Sequence, residues 1–136
     1  MIFHTTFCDP FKSEAIDLGY IEGNLVLDRF EAIPWQTILQ EMKGKPDNEI
    51  YYTPSLDVEN QKNKNQLSIS AVGEPDNFEF YIFYKRPKTI KTVFGLLKKH
   101  VDDYVTDVTG QNREDVLNCL KALINEDLQF LDQTIK

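Results

Sequence analysis

The spacing of apolar and polar positions divides the chain into strand-like and helix-like runs. Residues 1–7 are rich in β-branched and aromatic side chains (Ile2, Phe3, Thr5, Thr6, Phe7), and Asp9-Pro10 closes the run. Residues 11–18 follow neither period. Glu22-Gly23-Asn24 is a turn signal, and it joins Leu18–Ile21 to the apolar run Leu25, Val26, Leu27 and Phe30 in what reads as a β-hairpin. Helical spacing first becomes plain at Pro34. Trp35, Ile38, Leu39 and Met42 fall on one helical face, and proline at the first helical position loses no hydrogen bond. Gly44 and Pro46 stop that helix.

Further on, Ile50, Tyr51 and Tyr52 suggest a short strand over Glu49–Thr53. Residues 59–66 are polar throughout and read as a loop between strands. Leu67, Ile69 and Ala71 alternate with Ser68 and Ser70, the pattern of a half-buried strand. After the turn residues 73–77 comes Phe78-Glu79-Phe80-Tyr81-Ile82-Phe83-Tyr84, the most β-prone stretch, so the two strands form a hairpin. Apolar residues on both its faces predict a central strand covered on both sides. Arg86-Pro87 breaks it. Ile90, Val93, Phe94, Leu97, Val101, Tyr104, Val105 and Val108 then keep a helical period, although Gly95 and the β-branched residues leave a strand as the alternative over 88–94. At the C-terminus, Asn112 is placed to cap a helix, with Asp115 three residues on. Val116, Leu117, Leu120, Leu123 and Ile124 form its buried stripe, and Leu128, Leu131 and Ile135 continue past Asn125 as one bent helix or two short ones.

Strands in the front and middle with helices at the end define an α+β class. The expected architecture is an antiparallel sheet of about five or six strands, packed by an internal helix at about 34–43 and C-terminal helices at about 112–135. A length of 136 residues fits a single domain spanning 1–136. Sixteen aromatic residues argue against disorder. No apolar run is long enough to span a bilayer and the N-terminus lacks a signal-peptide pattern, so a cytoplasmic protein is expected. Cys8 and Cys119 match no metal or redox spacing; two reduced thiols are favoured over one disulfide.

Catalytic and cofactor chemistry find little support. His4 and Cys8 form a lone His-x3-Cys spacing that has no metal specificity without a further ligand placed by the fold, and His100 sits beside Lys98 and Lys99, so neither a metal nor another cofactor is expected. No Gly-x-Ser-x-Gly elbow is present, and Thr109-Gly110-Gln111-Asn112 lacks the features of a phosphate loop. The carboxylate pairs read as solvated faces in a chain with 22 acidic residues.

Charge is distributed unevenly. The net charge is −7, which counsels against a nucleic-acid partner or an anionic membrane. Yet Lys85, Arg86, Lys88, Lys91, Lys98 and Lys99 occur in a stretch with no acidic residue. Three functional expectations follow. The first is a non-enzymatic protein-binding domain of immunity or inhibitor type, using Asp102, Asp103, Asp107, Glu114 and Asp115 against a basic protein partner. The second is a small-molecule or anion-binding domain, or a small enzyme, with a pocket between sheet and helix lined by Trp35 and anchored by Lys85, Arg86 or Lys88. The third and weakest is RNA binding through residues 85–100.

Overall fold

The protein's three-dimensional structure, a computed structural model, describes residues 1–92, 95 and 97–136. Among these residues a six-stranded antiparallel sheet runs in the order β2-β1-β3-β4-β5-β6. Its strands are β1 (Ile2–Cys8), β2 (Ile16–Glu22), β3 (Ser55–Asn60), β4 (Gln66–Glu74), β5 (Asn77–Thr92) and β6 (Leu97–Gln111). Helices α1 (Val26–Glu31) and α2 (Trp35–Lys43) lie between β2 and β3, while α3 (Arg113–Ile124) and α4 (Leu128–Thr134) follow β6. The α+β class, the antiparallel sheet, the internal helix and the C-terminal helices all agree with the sequence reading.

Among the described residues, helices cover one face of the sheet. Register aligns Thr5, Val58, Leu67, Tyr84 and Thr106 in one cross-strand row and Phe7, Leu56, Ile69, Ile82 and Val108 in the next. These rows meet Val26, Phe30, Trp35 and Leu39 from α1 and α2, and Val116, Leu120, Leu123, Leu131 and Ile135 from the C-terminal segment. Burying such side chains contributes about 1.5–3 kcal/mol each, so this single layer is the main source of stability.

Several local expectations change. Leu25, Val26, Leu27 and Phe30 are not a strand: a 3-10 turn over Gly23–Leu25 leads into α1. Val26 and Phe30 are four residues apart, which puts both on one helical face, and both are buried. Glu49–Thr53 is likewise not a strand; the third strand is instead β3, where Leu56 and Val58 alternate with Ser55, Asp57 and Glu59. Strands β3 and β4 run into the polar stretch 59–66 and leave a tight turn. There Asn60 Oδ1 accepts from the Lys62 N–H (2.9 Å) and Asn63 Oδ1 from the Asn65 N–H (3.0 Å), so the asparagines satisfy turn backbone that a loop would leave to water.

The helical reading of 90–108 is also overturned. Residues 90–92 extend β5 and residues 97–108 belong to β6, joined by an antiparallel ladder from Lys88↔Val101 to Thr92↔Leu97. Val, Thr and Tyr suit that ladder better than a helix. Val93 and Phe94 of the expected helical face lie outside the described residues. β5 is second from an edge and covered on one face only, contrary to the expected central strand.

The C-terminal helix is two helices. Glu126 adopts a left-handed φ of 56°, and the Asp127 side chain caps α4 by accepting from the Phe130 N–H. Asn112 and Asp115 form the reciprocal cap of α3, each side chain accepting from the other's backbone N–H.

Candidate interaction surfaces

Among the described residues, the second face of the sheet carries no helix. Register sets Tyr20, His4, Glu59, Gln66, Lys85 and Val105 side by side across all six strands. The adjacent row is Asp17, Thr6, Asp57, Ser68, Phe83 and Asp107, and a third holds Cys8, Ser55, Ser70 and Tyr81. These three rows thus combine four carboxylates with one lysine and a set of aromatic and apolar groups. Tyr20 is 64% exposed, Val105 50% and Phe83 37%.

Local contacts hold parts of this face in place. His4 stacks on Tyr20 with ring centroids 4.7 Å apart, and its Nε2 lies 2.9 Å from Asp17 Oδ1. Asp17 also accepts from the Gly19 N–H at 2.7 Å; that bond, with His4, holds its carboxyl below the usual range. Asp57 behaves oppositely. Burial pushes its carboxyl up, while the Ser68 hydroxyl and the Lys85 ammonium partly offset this. The same Asp57 charge, with burial, raises the Cys8 thiol. Cys8 and Cys119 are both free, and burial lifts the Cys119 thiol to about 11, which leaves it protonated and unreactive.

The expected anion-binding residues are split between the two faces. Arg86 belongs to the covered face and is 6% exposed. Its guanidinium lies 4.1 Å from the Tyr84 ring centroid and 4.8 Å from that of Tyr104. Nη1 donates to the Tyr84 carbonyl (3.0 Å) and to Thr106 Oγ1 (2.6 Å), whose hydroxyl donates in turn to the Ile135 carbonyl (2.8 Å). Nη2 lies 3.5 Å from Asp132 on α4. Arg86 therefore stitches β5, β6 and the C-terminal helix together and does not present its charge to solvent. Trp35 is buried between Phe7, Phe30 and Phe80, with ring centroids 5.5–6.1 Å away. It seals the core. Lys85 lies on the helix-free face, and Lys88 is exposed with its Nζ 4.8 Å from the Tyr104 ring centroid.

Beyond Lys85, β5 has no β4 partner, so Lys88–Thr92 and Leu97–Val101 project as a two-stranded ribbon. It places Lys91 directly opposite Lys98 and Ile90 opposite Lys99. Opposed like charges destabilise a ladder.

The five candidate acidic residues do not form one patch. Asp102 and Asp103 are exposed at the base of the ribbon, with Asp102 2.9 Å from His100 Nε2. Asp107 lies opposite Phe83 on the helix-free face. Glu114 pairs with Arg113 in the first turn of α3, and Asp115 is engaged in the helix cap. Asp17, Asp57 and Glu59 join Asp107 in the rows described above. Their i, i+2 alternation with Leu56 and Val58 was the available signal for Asp57 and Glu59.

Two shallow concavities are present among the described residues. One of about 280 Å³ is lined by Phe11, Lys45, Asn48, Glu49 and Tyr51, and one of about 190 Å³ by residues including Leu39, Ile50 and Gly73. Neither has convergent catalytic groups. No group of three metal-ligating side chains is found among the described residues, and none of their helices is long and apolar enough to cross a membrane. Comparison with known protein families, curated proteins and solved structures found no match to this chain.

Proposed function

We propose that this chain is a non-enzymatic protein-binding domain that acts by surface complementarity, in the manner of an immunity or inhibitor protein, and that its helix-free sheet face receives a basic protein partner. One observation carries the reading: Asp17, Asp57, Glu59 and Asp107 share that face with Tyr20, Tyr81, Phe83 and Val105. Aromatic anchors ringed by polar and charged groups are the composition of protein contact surfaces. Antiparallel sheets often leave one face solvated, but large exposed side chains spread across this one, from Tyr20 on one edge strand through Phe83 to Val105 on the other, favour an occupant. The residues form strands whose positions are fixed by a packed core, so the surface is preorganised and ordering costs on binding are small.

The test is capture from native lysate with the tagged chain, compared with a Glu59→Lys/Phe83→Ala variant of unchanged fold. A stoichiometric basic protein held by the first and lost by the second supports the reading. Equal retention by both, or no protein retained by either, overturns it. Ligand-dependent melting would then direct attention to the Phe11–Tyr51 concavity.

A further inference from the structure

The edge strand β6 carries the run Leu-Lys-Lys-His-Val-Asp-Asp-Tyr-Val from Leu97 to Val105. Charge reverses about Val101: Lys98 and Lys99 precede it and Asp102 and Asp103 follow, with apolar or aromatic residues at both ends. A second strand of the same sequence, laid antiparallel, presents these halves in the opposite order. A two-fold axis normal to the sheet near Val101 therefore sets Lys98 and Lys99 of each copy against Asp102 and Asp103 of the other. We propose that β6 is a self-complementary edge through which two copies of this chain form a weak isologous dimer, with one sheet continuous across both.

Three observations converge on this arrangement. First, β6 ends the strand order, so its outer backbone groups face away from the sheet. Second, the inner neighbour does not neutralise the lysines. It offers Lys91 opposite Lys98 and Ile90 opposite Lys99, and among the described residues no carboxylate is within ion-pair distance of Lys91, Lys98 or Lys99. Third, the aspartates face solvent, and the Asp102 side chain is 86% exposed. β6 also has one more residue than β5 between the pairs Lys88↔Val101 and Arg86↔Tyr104. This bulge sets Asp102 and Asp103 side by side against a single residue of β5, so the carboxylates of the edge are concentrated where an incoming lysine would lie.

Bulges and lysines also serve to keep edges apart. An edge built for that purpose repels a copy of itself by presenting like charges. Here the order of charges attracts a copy in the antiparallel sense and only there. The interface is confined to a strand edge, so affinity should be low. Each copy also carries a net charge of −7. Salt screens that repulsion and the local attraction together, so charge reversal is a cleaner probe than ionic strength.

The experiment is sedimentation velocity on the full chain at concentrations rising toward roughly millimolar. Wild type should show a monomer–dimer equilibrium. Lys98→Asp/Lys99→Asp and Asp102→Lys/Asp103→Lys should each weaken self-association by at least about tenfold. Mixing the two variants in equal amounts should restore a dimer, because the all-acidic edge now meets the all-basic one. A wild type that stays monomeric, variants that dimerise as wild type does, or a mixture that fails to associate each overturns the proposal. If only the lysine variant loses binding to polyglutamate or to an oligonucleotide while wild type remains monomeric, the lysines serve an anionic partner instead. Glu59→Lys/Phe83→Ala leaves this edge intact and should dimerise normally, which separates failure of this inference from failure of the sheet-face reading.

Discussion

Lys85 and Arg86 are adjacent in the chain and point to opposite faces of β5. Arg86 is enclosed by two tyrosine rings, a threonine hydroxyl and a carboxylate from α4. Lys85 stands on the helix-free face opposite Gln66 and Val105, close enough to Asp57 to favour its ionised form. The same type of charge thus serves architecture on one side and remains available on the other. What separates them is the cover laid over the sheet, since strand alternation alone treats both sides alike.

Substitutions can sharpen that contrast. The largest effect should come from the covered layer: Leu56→Ala or Ile82→Ala, both fully buried, should lower unfolding free energy by about 2–5 kcal/mol in urea titrations. Arg86→Ala should cost about 2–3 kcal/mol, because charge-assisted bonds and a stacked stem are lost together. Lys85→Ala should change stability by no more than about 0.5 kcal/mol; equal losses at 85 and 86 would erase the proposed difference between the faces. Asn112→Ala removes one half of the α3 cap and should cost about 1 kcal/mol, read as an earlier thermal transition.

The smallest effect is expected at Asp57. Its folded-state pKa lies above the ordinary carboxylate value, so the native state binds this proton more tightly than the unfolded chain. The protonated form adds stability below the unfolded pKa, and that contribution is lost as pH rises through the folded pKa. Asp57→Asn should therefore raise the melting temperature slightly at neutral pH and make little difference in acid. A lower melting temperature at neutral pH would show that the carboxylate's bond from Ser68 outweighs its burial.

Much of the scaffold was legible because its signals are local. The α2 stripe from Trp35 to Met42, the Asn112 and Asp115 cap, and the alternation at Leu67, Ile69 and Ala71 each lie within a few residues of chain. The misread elements depend on distant partners. Ile90, Leu97 and Val101 satisfy a helical period, and pairing with the opposite arm of the ribbon decides against it. β3 was obscured by Asp57, Glu59 and Asn60, which disfavour strands in isolation and are tolerated beside β1 and β4. For the surfaces, the basic block was visible in sequence, while the burial of Arg86 and Trp35 and the gathering of Asp17, Asp57, Glu59 and Asp107 required the register of six strands.

Gly23 marks where β1 and α3 converge: a Cβ there would lie 3.2 Å from Ile124 and 3.3 Å from Phe3. Phe3 is made well before its cover, which includes residues of α3 that leave the ribosome only after the whole sheet has been synthesised. At about 5–20 residues per second, the roughly 25 residues after β6 take about 1–5 s. During that interval the nascent chain carries Phe3, Leu56, Ile69 and Ile82 on a face with no C-terminal lid. Slower translation between codons 111 and 136 should prolong that exposure and raise the demand for a nascent-chain chaperone.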